Sequence, residues 1–154
     1  MGMDVYGESG AYFRSNVWWW RPLADYVIKV APDIAGQCHY WQSNDGDGLG
    51  KADSLRLADS LQAEIDAGRT ARYETIYRSE REKLPNEPCW LCEGTGTRKP
   101  PPQRGAGDPR TDGPCNCCDA TGYTRPQSTE YPFSVDNVRR FVDFLRGCGG
   151  FRIR

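Results

Sequence analysis

Four cysteines stand in two short repeats that share one spacing. Two residues separate Cys89 from Cys92, and two residues separate Cys115 from Cys118. This spacing lets one tight turn direct two thiolates at the same ion, and two such turns supply the four sulfurs of a structural zinc site. We therefore expect these four cysteines to bind one zinc ion and to leave it no open coordination position for water.

Glycines follow the second cysteine of each repeat. Gly94, Gly96 and Gly122 stand where a chain that curls around a thiolate often needs a positive φ and exposes amide N–H groups to the sulfur. Ala120 occupies the position that matches Gly94. This replacement predicts that the position does not require a positive φ.

The second repeat contains a further cysteine, Cys117, which the spacing disfavours as a ligand. Cys115 and Cys118 preserve the distance to Gly122 that the first repeat shows, whereas a pair that starts at Cys117 does not. Ligation through Cys117 stays open as an alternative.

Paired cysteines can also form disulfides, buried free thiols or a redox centre. We expect no secretory signal at the N-terminus, and Cys-x-x-Cys pairs in an intracellular chain favour a metal over disulfides. A redox pair would need one exposed, electropositive repeat at the start of a helix, whereas two equivalent repeats favour shared coordination.

The repeat Cys-x-x-Cys-x-Gly-x-Gly resembles the cysteine-rich zinc region of DnaJ-type co-chaperones, over roughly residues 88–126. The resemblance implies a zinc ribbon, in which paired repeats bind the metal between antiparallel strands. Those co-chaperones carry four repeats and a J-domain with a His-Pro-Asp loop. Here there are two repeats, and the single histidine, His39, is followed by Tyr40 and Trp41. Chaperone activity is therefore not implied.

The 154 residues are enough for one hydrophobic core. We predict a single α+β domain over residues 1–154, with the zinc ribbon at residues 88–126 as an insertion. Between the repeats, residues 99–114 hold five prolines and three glycines. This composition predicts a flexible arm.

An aromatic run precedes the first predicted helix. Residues 17–20 read Val-Trp-Trp-Trp, and β-branched and aromatic residues in series predict a strand. In a strand Trp18 and Trp20 share the face toward the core, and Trp19 points to the other side. Trp19 is then either buried in a second layer or exposed as an anchor for a partner.

Four helices are predicted from apolar residues that recur at three and four positions. Pro22 suits the first turn of the first helix and Pro32 ends it, while Ser134 caps the fourth. Residues 149–154 alternate apolar and basic residues, which predicts an edge strand. The expected buried positions are Leu23, Tyr26, Val27 and Val30 in the first helix, Leu55, Ala58, Leu61 and Ile65 in the second, Tyr73, Ile76 and Tyr77 in the third, and Val135, Val138, Phe141, Val142 and Leu145 in the fourth.

The segment from Ser43 to Ser54 has a partial likeness to a calcium-binding loop. Asp45, Asp47 and Gly48 match such a loop, but Ser54 stands where a bidentate glutamate is needed. We therefore expect an Asx-rich turn that leads into the next helix.

Five further segments extend the comparison along nearly the whole chain. They are GMDVYG at residues 2–7, YFR followed by WWWRPL at residues 12–23, NDGDGL at residues 44–49, YPFSV at residues 131–135 and GGF at residues 149–151. In these segments the chain resembles a family of bacteriophage and prophage proteins that has no established activity. The resemblance implies a viral or prophage origin and a zinc-bearing insert. The N-terminus shows no signal-peptide pattern, so we expect the protein in the cytoplasm of the host cell.

Charge and motifs set the functional expectations. Lys and Arg number 20 against 21 Asp and Glu, so the overall positive charge typical of nucleic-acid-binding proteins is absent. The longest apolar stretch is too short to span a bilayer, so we expect no membrane partner. A single histidine and no hydrolase, P-loop or zinc-protease motif predict that the protein is not an enzyme.

We expect a non-enzymatic zinc protein that binds a protein partner of the host, with Trp19 and Trp90 at the contact surface. The alternative is a nucleic-acid adaptor. It would use basic residues of the arm against phosphates, which are Arg98, Lys99, Arg104 and Arg110.

Overall fold

The computed structural model describes residues 2–98 and 113–154. These residues form both helices and short strands, so the mixed α+β class that the sequence predicts is confirmed. The strands are β1 (Gly2–Gly7), β2 (Tyr12–Asn16), β3 (Glu87–Pro88), β4 (Thr97–Arg98), β5 (Gly113–Pro114), β6 (Tyr123–Thr124) and β7 (Phe151–Ile153). The helices are α1 (Val17–Val30), α2 (Pro32–Ala35), α3 (Lys51–Asp66), α4 (Arg69–Glu82) and α5 (Val135–Gly147), with a 3₁₀ turn at Gln127–Glu130.

The chain divides into two compact units. The main unit comprises Met1–Glu80 and Glu130–Arg154, and the cysteine unit comprises Arg81–Thr129. The predicted insertion at residues 88–126 falls within the cysteine unit, and most of the predicted arm lies outside the described residues. In the described part of the chain, every helix falls short of the length and apolarity that crossing a bilayer requires.

A three-stranded antiparallel sheet joins the two ends of the main unit, in the order β2-β1-β7. The predicted C-terminal edge strand is therefore confirmed. A loop lies along its outer side, where the Ile153 N–H donates to the Asp47 carbonyl at 2.8 Å. A Cβ atom at Gly48 would stand 1.9 Å from the Phe151 carbonyl oxygen, so only glycine allows this approach.

The predicted strand at residues 17–20 is wrong, because these residues form the first turn of α1. The Asn16 side chain accepts a hydrogen bond from the Trp19 N–H at 3.0 Å and so caps the helix. Helical spacing then buries Trp20 with Leu23 and Val27, whereas Trp19 stays 36% exposed. Pro22, expected in the first turn, lies inside the helix.

The remaining helices bury one stripe each. Leu57, Ala58 and Leu61 of α3 are fully buried. Leu55 is exposed, so its predicted burial is wrong. It lies two positions before Leu57, and two positions along a helix lead to a different face. On α4, Tyr73 and Tyr77 pack against the core. Ile76 is exposed, so its predicted burial is wrong.

Helix α5 forms as its sequence predicts. The Ser134 side chain accepts from the Asn137 N–H at 3.1 Å, which confirms the predicted cap. The expected apolar face is buried at Val138, Phe141, Val142 and Leu145. Aromatic rings then link this helix to the sheet and to α1, with Phe141 touching Phe13, Trp20 and Phe151 at centroid distances of 5.2, 5.7 and 6.2 Å.

The loop before α3 is organised by Asp47, as expected for an Asx-rich turn. Its carboxylate accepts from the backbone N–H groups of His39, Gly48 and Tyr40 at 2.5, 2.8 and 3.1 Å. Burial opposes ionisation of Asp47, but these donors outweigh it and hold the pKa of the carboxyl below its usual value.

We predict that Trp20→Ala lowers the free energy of unfolding of the main unit by about 3 to 5 kcal/mol, because it empties a core position. The indole is fully buried and its N–H donates to the Trp41 carbonyl at 2.6 Å. Urea unfolding followed by circular dichroism measures the change. The control is Trp19→Ala, one residue away and partly exposed, which should cost less than about 1 kcal/mol. Equal losses of unfolding free energy in the two variants would contradict the placement of Trp20 in the core.

Candidate metal centre

The structure brings together the four cysteines that the repeats single out. The sulfur atoms of Cys89, Cys92, Cys115 and Cys118 all lie within 4.8 Å of one another, and all four residues are buried. Cys89 Sγ lies 3.9 Å from Cys115 Sγ, and Cys92 Sγ lies 3.7 Å from Cys118 Sγ. A tetrahedral ion with metal–sulfur bonds of about 2.3 Å needs edges of about 3.8 Å. The cluster therefore has the dimensions of a metal site.

The two repeats fold in the same way around their second cysteine. The Gly96 N–H donates to Cys92 Sγ at 3.3 Å, and the Gly122 N–H donates to Cys118 Sγ at 3.2 Å. Such donors stabilise the thiolate and fix the direction from which it binds a cation.

Each repeat turns through two successive residues in the left-handed region. Glu93 and Gly94 have φ values of 53° and 86°, and the matching Asp119 and Ala120 have 48° and 62°. The prediction that alanine marks a position without positive φ is therefore wrong. The turn imposes this conformation on Ala120 at a cost of roughly 1 to 2 kcal/mol.

The glycine four residues after the second cysteine of each repeat, Gly96 or Gly122, is required for a different reason, which is the close approach of the two repeats. A Cβ atom at Gly96 would lie 2.3 Å from the Ala120 carbonyl oxygen, and one at Gly122 would lie 2.3 Å from the Gly94 oxygen. The approach is reciprocal and supports two hydrogen bonds, from Cys115 N–H to the Gly96 carbonyl at 2.8 Å and from Cys89 N–H to the Gly122 carbonyl at 2.7 Å.

Two short ribbons complete this exchange between the repeats. Strand β3, before the first repeat, pairs with β6, after the second. Strand β4, after the first repeat, pairs with β5, before the second. Each ribbon is two residues long, so the pairing sets the register of the repeats but buries little apolar surface.

Cys89 and Cys118 differ in how readily they ionise. Burial opposes ionisation of Cys89, but the N–H groups of Cys92 and Leu91 outweigh it and lower the pKa to about 6. Burial, together with the neighbouring sulfurs, raises the pKa of Cys118 to about 11. The hydrogen bond from the Gly122 N–H acts in the opposite direction and lowers this pKa. Four thiolates at these distances therefore require a cation to compensate their charge.

Cys117 lies outside this group of four. It is exposed, and its thiol is hydrogen-bonded to Cys89, which raises the pKa of Cys117. The arrangement thus pairs Cys115 with Cys118 in the second repeat.

The other residues predicted at a binding surface belong to different parts of the chain. Trp90, between the first two cysteines, is 77% exposed, and Arg98 is exposed on β4. Trp19 belongs to the main unit. Lys99 and Arg104 lie outside the described residues.

Comparison with family models, with curated proteins and with solved structures finds no match to this chain. Function has therefore to be argued from the residues of this molecule.

We predict that the purified protein contains one metal ion per chain, and that Cys118→Ser abolishes stoichiometric binding because a hydroxyl is a poor replacement for a thiolate. The measurement is elemental analysis after dialysis. The matched control is Cys117→Ser, one residue away, which should keep the full metal content. Loss of metal in the Cys117 variant with retention in the Cys118 variant would show that the ligand set is wrong.

Proposed function

We propose that this chain is a non-enzymatic zinc protein whose cysteine unit presents a rigid surface to a protein partner. The observation that carries the proposal is the position of Trp90, a 77% exposed indole held between two cysteines of the four-sulfur cluster. The zinc is structural, and the surface around Trp90 is the functional part.

Zinc is the metal that best suits this donor set. Four buried thiolates at tetrahedral distances select zinc over the oxygen-binding cations, magnesium and calcium. Four protein ligands also fill the coordination sphere, so no water can be activated on the metal. The centre therefore stabilises the fold of the unit and takes no part in catalysis.

Trp90 has the properties of an interface anchor. Tryptophan is the side chain most enriched among residues that dominate binding energies, and it is costly to leave in water without a partner. The metal fixes the backbone on both sides of it, at Cys89 and Cys92, so little conformational entropy is lost on binding. The matching position in the second repeat is the polar Asn116, so the apolar surface belongs to one repeat only.

The proposed partner is a protein of a host cell. This step rests on the resemblance to bacteriophage proteins, together with the near balance of 20 basic and 21 acidic residues. The alternative adaptor function, with Arg98, Lys99 and Arg104 on nucleic acid, predicts binding that falls steeply with salt.

We predict that a bacterial protein co-purifies with the tagged wild-type chain from nuclease-treated lysate and is lost from Trp90→Ala. The control is Asn116→Ala, the same position in the second repeat, which should retain it. Mass spectrometry identifies the protein, and titration of the purified pair should show Trp90→Ala weakening the affinity at least about tenfold. Equal binding by wild type and Trp90→Ala would refute the role of this surface.

We also predict that Cys92→Ser disorders the cysteine unit and leaves the helices of the main unit folded. Metal binding is coupled to the folding of small units, whereas the main unit has its own apolar core. Circular dichroism should keep its helical signal, while limited proteolysis should cut within Arg81–Thr129. Loss of the helical signal would show that the two units fold together.

A further inference from the structure

The face of the sheet opposite the core carries aromatic and basic side chains. Residues alternate between the two faces of a strand, and Val5, Phe13 and Ile153 are buried on the core side. The neighbours of these residues therefore form the other side, which we name the outer face. It comprises Asp4, Tyr6, Tyr12, Arg14, Arg152 and Arg154.

Two tyrosines stand side by side on the outer face. Tyr6 and Tyr12 are directly paired across β1 and β2, and their ring centroids are 5.1 Å apart. They are 49% and 50% exposed. The Tyr12 hydroxyl donates a hydrogen bond to the Asp4 carboxylate, which fixes the ring. An ordered pair of half-exposed rings on a sheet is a platform on which flat groups can stack.

Three arginines lie on the same face of the sheet as the two rings. Arg152 lies opposite Tyr6 on β7, and Arg14 lies opposite Asp4 on β2. Arg154 continues the pairing, with its N–H donating to the Asp4 carbonyl at 2.7 Å. The outer face thus combines three guanidinium groups with one carboxylate, although the chain as a whole has a net charge of −1. The positive charge is concentrated where the rings are exposed.

We propose that the outer face binds single-stranded nucleic acid. Unpaired bases stack on Tyr6 and Tyr12, and the phosphates that follow them lie against Arg14, Arg152 and Arg154. The chemistry favours this ligand over two others. A duplex keeps its bases stacked inside and cannot use the tyrosine rings. An acidic protein segment would contact the guanidinium groups but would gain little from the rings. This site is separate from the cysteine unit and stands or falls independently of the protein partner proposed above.

The test is fluorescence anisotropy with a labelled oligothymidylate and a labelled oligouridylate, using the full metal-loaded chain. Binding of either at low salt is expected, and the two arms show whether DNA or RNA is preferred. Each tyrosine should contribute about tenfold to the affinity, so Tyr6→Ala with Tyr12→Ala should weaken binding by about a hundredfold. The control is Tyr40→Ala with Tyr123→Ala, which removes two equally exposed tyrosines elsewhere and should leave the affinity unchanged.

The arginines are tested through the salt dependence. Each phosphate contact contributes about 0.7 to the slope of log affinity against log salt on single strands, so three contacts give a slope of about 2. Arg152→Gln should lower that slope by about 0.7, whereas Arg56→Gln, an exposed arginine of α3, should not change it. The Arg152→Gln variant leaves Tyr6 and Tyr12 in place, so a lower slope in this variant reports a lost phosphate contact and not a loss of folding.

Four results would overturn the proposal. They are the absence of binding by the wild-type chain at low salt, equal losses in the tyrosine variant and its control, binding of the corresponding duplex as strongly as the single strand, and displacement of the oligonucleotide by polyglutamate at the same charge concentration. The last result would assign the outer face to an acidic protein.

Discussion

Repulsion among four buried thiolates, which a bound cation would relieve, is the constraint on which the cysteine unit depends. In the described part of this unit, the buried cluster consists of the four cysteines, with Leu91 packed against them. Its strands are two residues long, and Ala120 adopts a left-handed conformation. Apolar burial of this size cannot offset the entropy lost on ordering the chain. A metal ion bound by the four sulfurs would supply the stability that this small core does not.

The main unit has the opposite basis for its stability. Its core is continuous across the sheet, α1, α3 and α5, with Trp20 and Phe141 among the fully buried side chains. Burial on one side of the sheet leaves the other side free, and that outer face carries Tyr6 and Tyr12. The chain thus carries two candidate surfaces, an exposed tryptophan between two cysteines of the four-sulfur cluster and a pair of tyrosines on a sheet. Each surface is fixed by a different source of rigidity.

The features that the sequence predicts well are those set by local spacing. Two matched cysteine pairs identify the four cysteines whose sulfur atoms come together, and Ser134 followed by an apolar stripe identifies α5. The errors arise where a neighbouring residue or a contact with a distant segment determines the local conformation. The cap from Asn16 converts a strand-like aromatic run into a helix, and closure of the second repeat forces Ala120 to a positive φ. The tyrosine pair of the outer face depends on strand register, which alternation alone does not give.

The most direct test of the central claim is X-ray absorption at the zinc edge on protein purified without added metal. We expect one zinc per chain, bound to four sulfur atoms at about 2.3 Å and to no oxygen or nitrogen atom. A first shell that contains light atoms, or a protein free of zinc with its cysteines oxidised to one another, would contradict the claim.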